Sequence, residues 1–553
     1  MRKSKMTQSQ ILILAVLAVV DFLCIAGLGG TALVQTLQIG ARAAVETPEE
    51  RAPIETIPPT RALPPTWTPA PTATPQGADK LYTFELARCD FEVPVGANLA
   101  CGYVTLPETR GETPSGMVKL AVAIYRSKGA TPAPDPVIYL SGGPGGAAVA
   151  DLALIYNEFI APLQVDRDVI IFDQRGVGLS EPELSCYEYD NAAERDLEYD
   201  FGPDEQAEAY LQAFQRCRDR LTSRGINLAA YTSAANASDV RDLAEVLGYE
   251  QVNLYGISYG TRLALTVMRD HPDIVRSAVL DSVEPIEEPM FNGQAARTDR
   301  VLRKIFDGCA ADKNCRATYP TLEEDFYALL ERLDREPPTI WAKSPGEKMY
   351  KVQMDGDTVI AAIFLSSYHS SLTRYIPRMI DDAYQGDYGL AEWLVGYAAG
   401  FEDGFSIGMM MSVNCHEEIF ATTPEQIAAD FEAYGHVATF AYDAVYGEAE
   451  TMFTICQEWG AAPFDSLEGQ PVSSNIPALV LAGEYDPITP PAYSQQVAQR
   501  LSQSYYYEFP GIAHGTSIQA YCAYEIAKAF LNDPQTEPDG SCIADMGGID
   551  FVR

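Results

Sequence analysis

Residues 252–268 read Val-Asn-Leu-Tyr-Gly-Ile-Ser-Tyr-Gly-Thr-Arg-Leu-Ala-Leu-Thr-Val-Met. Residues 252–255 form a short apolar run of strand type, and from Thr261 to Met268 the pattern is helical. Between them, Gly256-Ile257-Ser258-Tyr259-Gly260 fits G-x-S-x-G. This spacing sets a serine on a tight strand-to-helix turn with strained backbone angles, and the flanking glycines leave room for it. The turn exposes the hydroxyl at a helix N-terminus, where backbone N–H groups bind an anion. A five-residue match recurs by chance. With a strand before it and a helix after it, Ser258 is expected to be a nucleophile rather than an ordinary turn residue.

A nucleophilic serine needs a base. The chain has five histidines. His271 sits at a helix stop, and His369, His416 and His436 fall in a long insertion. His514 lies in Pro-Gly-Ile-Ala-His-Gly, just after the last expected strand, and is the candidate base. A third member orients the imidazole and stabilises its charged form. Asp486, directly after the apolar run 478–482, is the preferred acid, in the chain order Ser…Asp…His. Asp281, at the end of the preceding strand, is its rival. Two N–H donors are needed for an oxyanion: Tyr259 after the nucleophile, and one from the loop Ser-Gly-Gly-Pro-Gly-Gly (141–146). That loop lacks the lysine and spacing of a phosphate-binding loop.

On either side of this turn, residues 119–126, 137–140, 168–172, 275–280, 478–482 and 505–509 read as further strands, and 239–247 as a helix capped by Ser238. Short apolar strands alternating with helices predict a mostly parallel sheet covered on both faces. The expected organisation is 81–283 and 475–553 as two parts of one α/β core, with 284–474 as a large, mainly helical cap insertion. Ahead of them, residues 41–78 are dominated by proline and threonine and read as an extended stalk. Residues 1–10 are basic and expected to be cytoplasmic. Residues 11–34 are almost wholly apolar and long enough for a transmembrane signal anchor, with the remainder outside the cell. Cleavage near Ala41-Arg42-Ala43, giving a secreted enzyme, is the alternative.

The net charge of −38 argues against nucleic-acid partners. Ten of the 11 cysteines follow the apolar segment, an even number that fits disulfides in an oxidising compartment. Pairing neighbours in sequence gives 89–101, 186–217, 309–315, 415–456 and 522–542. No C-x-x-C motif appears and histidines do not cluster with cysteines, so neither metal nor cofactor is expected.

The stretches CGYVTLPE (101–108), YLSGGPGG (139–146), FDQRGVGLS (172–180), DVRDLAEVLGYEQVNLYGISYGTRLAL (239–265), LVLAGEYDPITP (479–490) and PGIAHG (510–515) together resemble the proline iminopeptidase-like serine exopeptidases, and more closely the secreted bacterial tripeptidyl aminopeptidases. The resemblance runs from about Cys89 to Cys542. It implies an α/β-hydrolase fold, a triad of Ser258, Asp486 and His514, oxyanion donors at Tyr259 and around Gly142–Gly143, and a peptide substrate cut near its free N-terminus. The chain departs from the proline iminopeptidases at Ser141, where they usually carry histidine. In this family acidic groups of the cap bind the substrate α-amine, and Glu417 and Glu418, in Asn-Cys-His-Glu-Glu (414–418), are the candidates. A carboxylesterase or lipase with the same triad is the competing expectation.

Overall fold

A computed structural model describes residues 82–110, 115–199, 201–401, 404–434, 449–465 and 468–553. The expected cytoplasmic segment, anchor and stalk lie outside them. Among the described residues no helix is long and apolar enough to cross a membrane.

Nine strands form one sheet in the order β1-β2-β3-β5-β4-β6-β7-β10-β11. They are β1 (Phe84–Ala87), β2 (Leu99–Thr109), β3 (Ser115–Tyr125), β4 (Val137–Leu140), β5 (Val169–Phe172), β6 (Val252–Ile257), β7 (Val275–Asp281), β10 (Ala478–Gly483) and β11 (Ser504–Phe509). From β5 to β11 every neighbouring pair is parallel, while β1, β2 and β3 are joined to each other and to β5 antiparallel. β4, β5, β6 and β10 are buried along their whole length, because helices cover both faces. This is the reason these strands read as unbroken apolar runs rather than alternating ones.

Two elements differ from expectation. The helix anticipated at 239–247 begins earlier, at Ser233, with the Thr232 side chain accepting from the Ala235 N–H. Ser238 is an interior residue whose hydroxyl donates to the Ala234 carbonyl, so the cap falls a turn and a half upstream. The insertion also contains a hairpin, β8 (Thr339–Lys343) and β9 (Met349–Gln353). There Ile340 and Ala342 point into the insertion's own core and Trp341 outward, a period of two inside a segment expected to be mainly helical.

The insertion has a core of its own, built on Val301, Ile305, Phe326, Leu329, Ile363 and Ile380. Helix Tyr187–Tyr199, from the first part of the core, packs on the hairpin through the Lys348–Glu194 and Lys351–Glu198 ion pairs. The ten described cysteines form five disulfides, each between the neighbours in sequence, with Cα–Cα separations of 5.1–5.9 Å.

Candidate active site

Ser258 stands between the end of β6 and helix Tyr259–Asp270, at φ 59 and ψ −129. A non-glycine residue in this conformation is strained and persists only where its surroundings hold it. The Ser258 N–H donates to the Asp281 carbonyl at 3.1 Å. Its carbonyl accepts from the Thr261 N–H at 2.7 Å and the Thr261 hydroxyl at 2.6 Å. A Cβ on Gly260 would run into the Leu140 carbonyl of β4, so the elbow helix reaches the sheet only with glycine there.

His514 Nδ1 lies 2.9 Å from Asp486 Oδ2. The other carboxylate oxygen accepts from the N–H groups of Ile488 and Thr489, and the Thr489 hydroxyl donates to Oδ2 at 2.8 Å. Burial pushes the Asp486 carboxyl up, but the imidazole and these donors more than offset it, and its pKa falls below the usual carboxylate range. Asp281 is equally buried but does not face an imidazole. Its two oxygens accept from the N–H and hydroxyl groups of Thr516 and Ser517. It therefore anchors the short helix that follows His514.

Ser258 and His514 line one cavity of about 910 Å³, with Gly142, Gly143, Glu284 and Glu418 also in its wall. A Cβ on Gly142 would lie 3.1 Å from the Ser258 Cβ, so this loop brings its backbone close against the serine. The loop is braced from below: Asp173 accepts from the N–H groups of Ala148 and Val149, and Gln174 donates to the Ser141 carbonyl at 3.0 Å. Opposite it, the first N–H groups of helix Tyr259–Asp270 have no partner within the helix. Tyr259 and the Gly142–Gly143 loop thus approach Ser258 from two sides.

The two candidate amine ligands separate. Glu417 is not in the cavity wall: its oxygens accept from Ser233 N–H at 2.6 Å, Ser233 Oγ at 2.7 Å and Arg262 Nε at 3.0 Å. Its expected role facing a substrate amine is corrected on this ground, because the carboxylate is fully engaged behind the wall. Glu418 does line the cavity, accepts from the Met290 N–H, and pairs with Arg262 Nη1 at 2.9 Å. Its neighbour Glu284, which no motif marks in the sequence, lies three residues beyond β7 and sits 3.6 Å from the same guanidinium nitrogen. Three buried carboxylates thus share Arg262. The Arg297 guanidinium donates to the carbonyls of Met290 and Asn292, and its charge also acts to lower the pKa of Glu284 and Glu418. Burial raises the pKa of Glu284 and Glu418; Arg262 counters it, and their mutual repulsion adds to it.

His369, expected only as part of the insertion, also lines the cavity. Burial, and secondarily the charge of His514, push its imidazole down to about 4, so it is neutral at ordinary pH. Among the described residues no cluster could hold a metal ion.

A profile of the family described as alpha/beta hydrolase fold matches residues 135–521. The serine protease Hip1 of Mycobacterium tuberculosis is 24% identical over 470 residues, covering 81% of this chain and 88% of that protein. A tripeptidyl aminopeptidase of Streptomyces lividans is 31% identical over 193 residues, 34% of this chain and 35% of that protein. A solved proline iminopeptidase of Mycobacterium smegmatis is 18% identical, covers 78% of this chain and 98% of its own, and has a TM-score of 0.33.

Proposed function

From the premise that this chain belongs to the alpha/beta hydrolase fold family and is a serine hydrolase with peptidase relatives, we propose that it releases short peptides from free N-termini through an acyl-enzyme on Ser258. Ser258 Oγ attacks the scissile carbonyl while His514 takes its proton. Asp486 holds the imidazole in the tautomer that presents Nε2 to the serine and stabilises its charged form. The N–H groups of Tyr259 and of the Gly142–Gly143 loop receive the oxyanion. His514 then protonates the leaving amine, and water releases the acyl group by the same steps in reverse.

The observation that carries the exopeptidase reading is the pair Glu284 and Glu418 in the wall of the cavity that contains Ser258. Once Glu284 and Glu418 are both ionised, they and Glu417 set three carboxylates against Arg262 and the charge of Arg297, and a substrate α-ammonium adds a cation that favours their charged forms. The enzyme is placed outside the cytoplasm, supported by five disulfides, and held by the anchor at 11–34 and the stalk at 41–78, or released by cleavage. The aromatic part of the cavity wall, with Phe364, Phe401 and Phe405, favours a second reading as an esterase.

The test compares peptidyl-p-nitroanilides with free and acetylated N-termini. Acetylation is expected to lower kcat/KM at least about tenfold, since a hydrogen bond to a charged group contributes about 1.5–3 kcal/mol. Glu418→Gln and Glu284→Gln should erase most of that preference while Ser258 still reacts with a fluorophosphonate. Equal cleavage of free and blocked peptides refutes the aminopeptidase reading. Rapid ester turnover with no peptide cleavage replaces it with the esterase.

A further inference from the structure

The loop that carries His514 is tied to the cap, and one side chain makes most of the ties. Gln519, at the end of the short helix Thr516–Gln519, lines the cavity. Its Oε1 accepts from the Ser370 N–H at 2.9 Å and the Ser370 hydroxyl at 3.0 Å. Its Nε2 donates to the Tyr368 carbonyl at 2.8 Å and to the His514 carbonyl. The amide orientation is fixed by these partners, since a flip would set its NH2 against the Ser370 N–H.

The cap turn at 368–370 then grips the loop directly. The Ala513 N–H donates to Ser370 Oγ at 2.9 Å, and the His514 N–H to the Tyr368 carbonyl at 3.2 Å. The Tyr368 ring meets the His514 imidazole edge-on at 5.0 Å. On the core side the loop has Ser282 and Asp486. His514 is therefore held between two bodies, the core through its side chain and Gly515, the cap through the backbone of Ala513 and His514.

The geometry points to Gln519 as a positioning residue that couples the seating of the cap turn to the placement of the base. With the turn seated, all four hydrogen-bonding positions of the amide are used and the imidazole stands over Asp486. When the turn lifts, the Ala513 and His514 N–H groups lose their acceptors, and the loop is left with its core contacts alone. Catalytic competence and cap closure are then one event. This rests on the reading of His514 as the base.

The experiment uses the whole protein and a p-nitrophenyl ester, so that amine recognition plays no part. Gln519→Leu, Gln519→Glu and Ser370→Ala are compared with the parent for kcat, KM, rate of fluorophosphonate labelling at Ser258 and Tm, from pH 5 to 9. Gln519→Leu should slow both kcat and labelling by about 10- to 100-fold with little change in KM, as expected for a displaced catalytic group. Gln519→Glu in its acid form keeps an acceptor and regains one O–H donor. Its activity relative to the parent should rise as the pH falls, while the relative activity of Gln519→Leu stays flat. Ser370→Ala should move in the same direction as Gln519→Leu, by less. Unchanged kcat and labelling in Gln519→Leu, with or without a lower Tm, overturn the inference and leave a structural hydrogen bond. A parent enzyme that is not labelled at Ser258 overturns both the inference and the triad on which it rests.

Discussion

At the scale of single residues, the two aspartates near the site show how environment separates like groups. Both are buried carboxylates at strand ends, but Asp486 faces His514 whereas Asp281 faces four donors from Thr516 and Ser517. Asp486→Asn should lower kcat by about 10⁴, because an amide favours the wrong imidazole tautomer. Asp281→Asn turns an NH2 toward two of those donors. It should lower Tm and cost less in kcat than Asp486→Asn; the reverse order in kcat would place the acid at Asp281. A second residue-scale prediction concerns pH. Glu418 and Glu284 are pushed up to about 7 and about 8. Below those values they hold protons and attract an ammonium weakly; as pH rises through them, negative charge appears in the cavity wall. The ratio of kcat/KM for free over acetylated peptides should therefore climb between pH 5.5 and 7.5. It should stop climbing as the peptide amine itself deprotonates near pH 8. A flat ratio over that range would remove the two carboxylates from substrate recognition.

At the scale of elements, the strand–turn–helix at 252–270 is specified locally. The glycine before the serine and the glycine after it are both required by backbone approach: a Cβ on Gly256 would meet the Gly260 carbonyl, and one on Gly260 the Leu140 carbonyl. Neither obstacle is a flexible side chain. Gly260→Ala should therefore destabilise the protein by at least about 1–3 kcal/mol, the usual cost of overpacking, and abolish activity. A variant with the parent's urea midpoint would mean that the elbow helix stands farther from β4. The π-helical turn Asn414–Ile419 is the opposite case. Its sequence advertises two adjacent carboxylates, and adjacent residues point in different directions. Packing, not composition, sends Glu417 to Ser233 and Glu418 to the cavity. The hairpin β8–β9 was hidden for a related reason: each strand has five residues, too few to stand out in a region dominated by helical periods.

At the scale of the whole molecule, each disulfide joins cysteines 6 to 41 positions apart, and Cys415–Cys456 holds the turn that carries Glu418. Replacing both of its cysteines by serine should cost about 2–4 kcal/mol in stability. It should also raise KM for free-amine peptides more than for esters; an equal rise for both would show that the bridge does not position Glu418. The sequence alone determined what depends on neighbours within a few turns of chain. That includes the apolar runs that became the parallel strands, the glycine-flanked turn at Ser258, the glycines of the 141–146 loop and the pairing of cysteines close in sequence. It also carried the chain order of serine, aspartate and histidine, because Ser258, His514 and both candidate aspartates stand at or after the ends of strands of one parallel run, and such strands end on the same side. Only the tertiary structure decided which aspartate faces His514 and that Glu284 stands beside Glu418, 134 positions later in the chain. It also decided that Gln519 joins the cap to the loop of His514. Those choices rest on buried polar groups finding partners far away in sequence. A buried charge or amide must be satisfied wherever the packing puts it, and a partner supplied by a distant segment leaves no period or motif from which to read it.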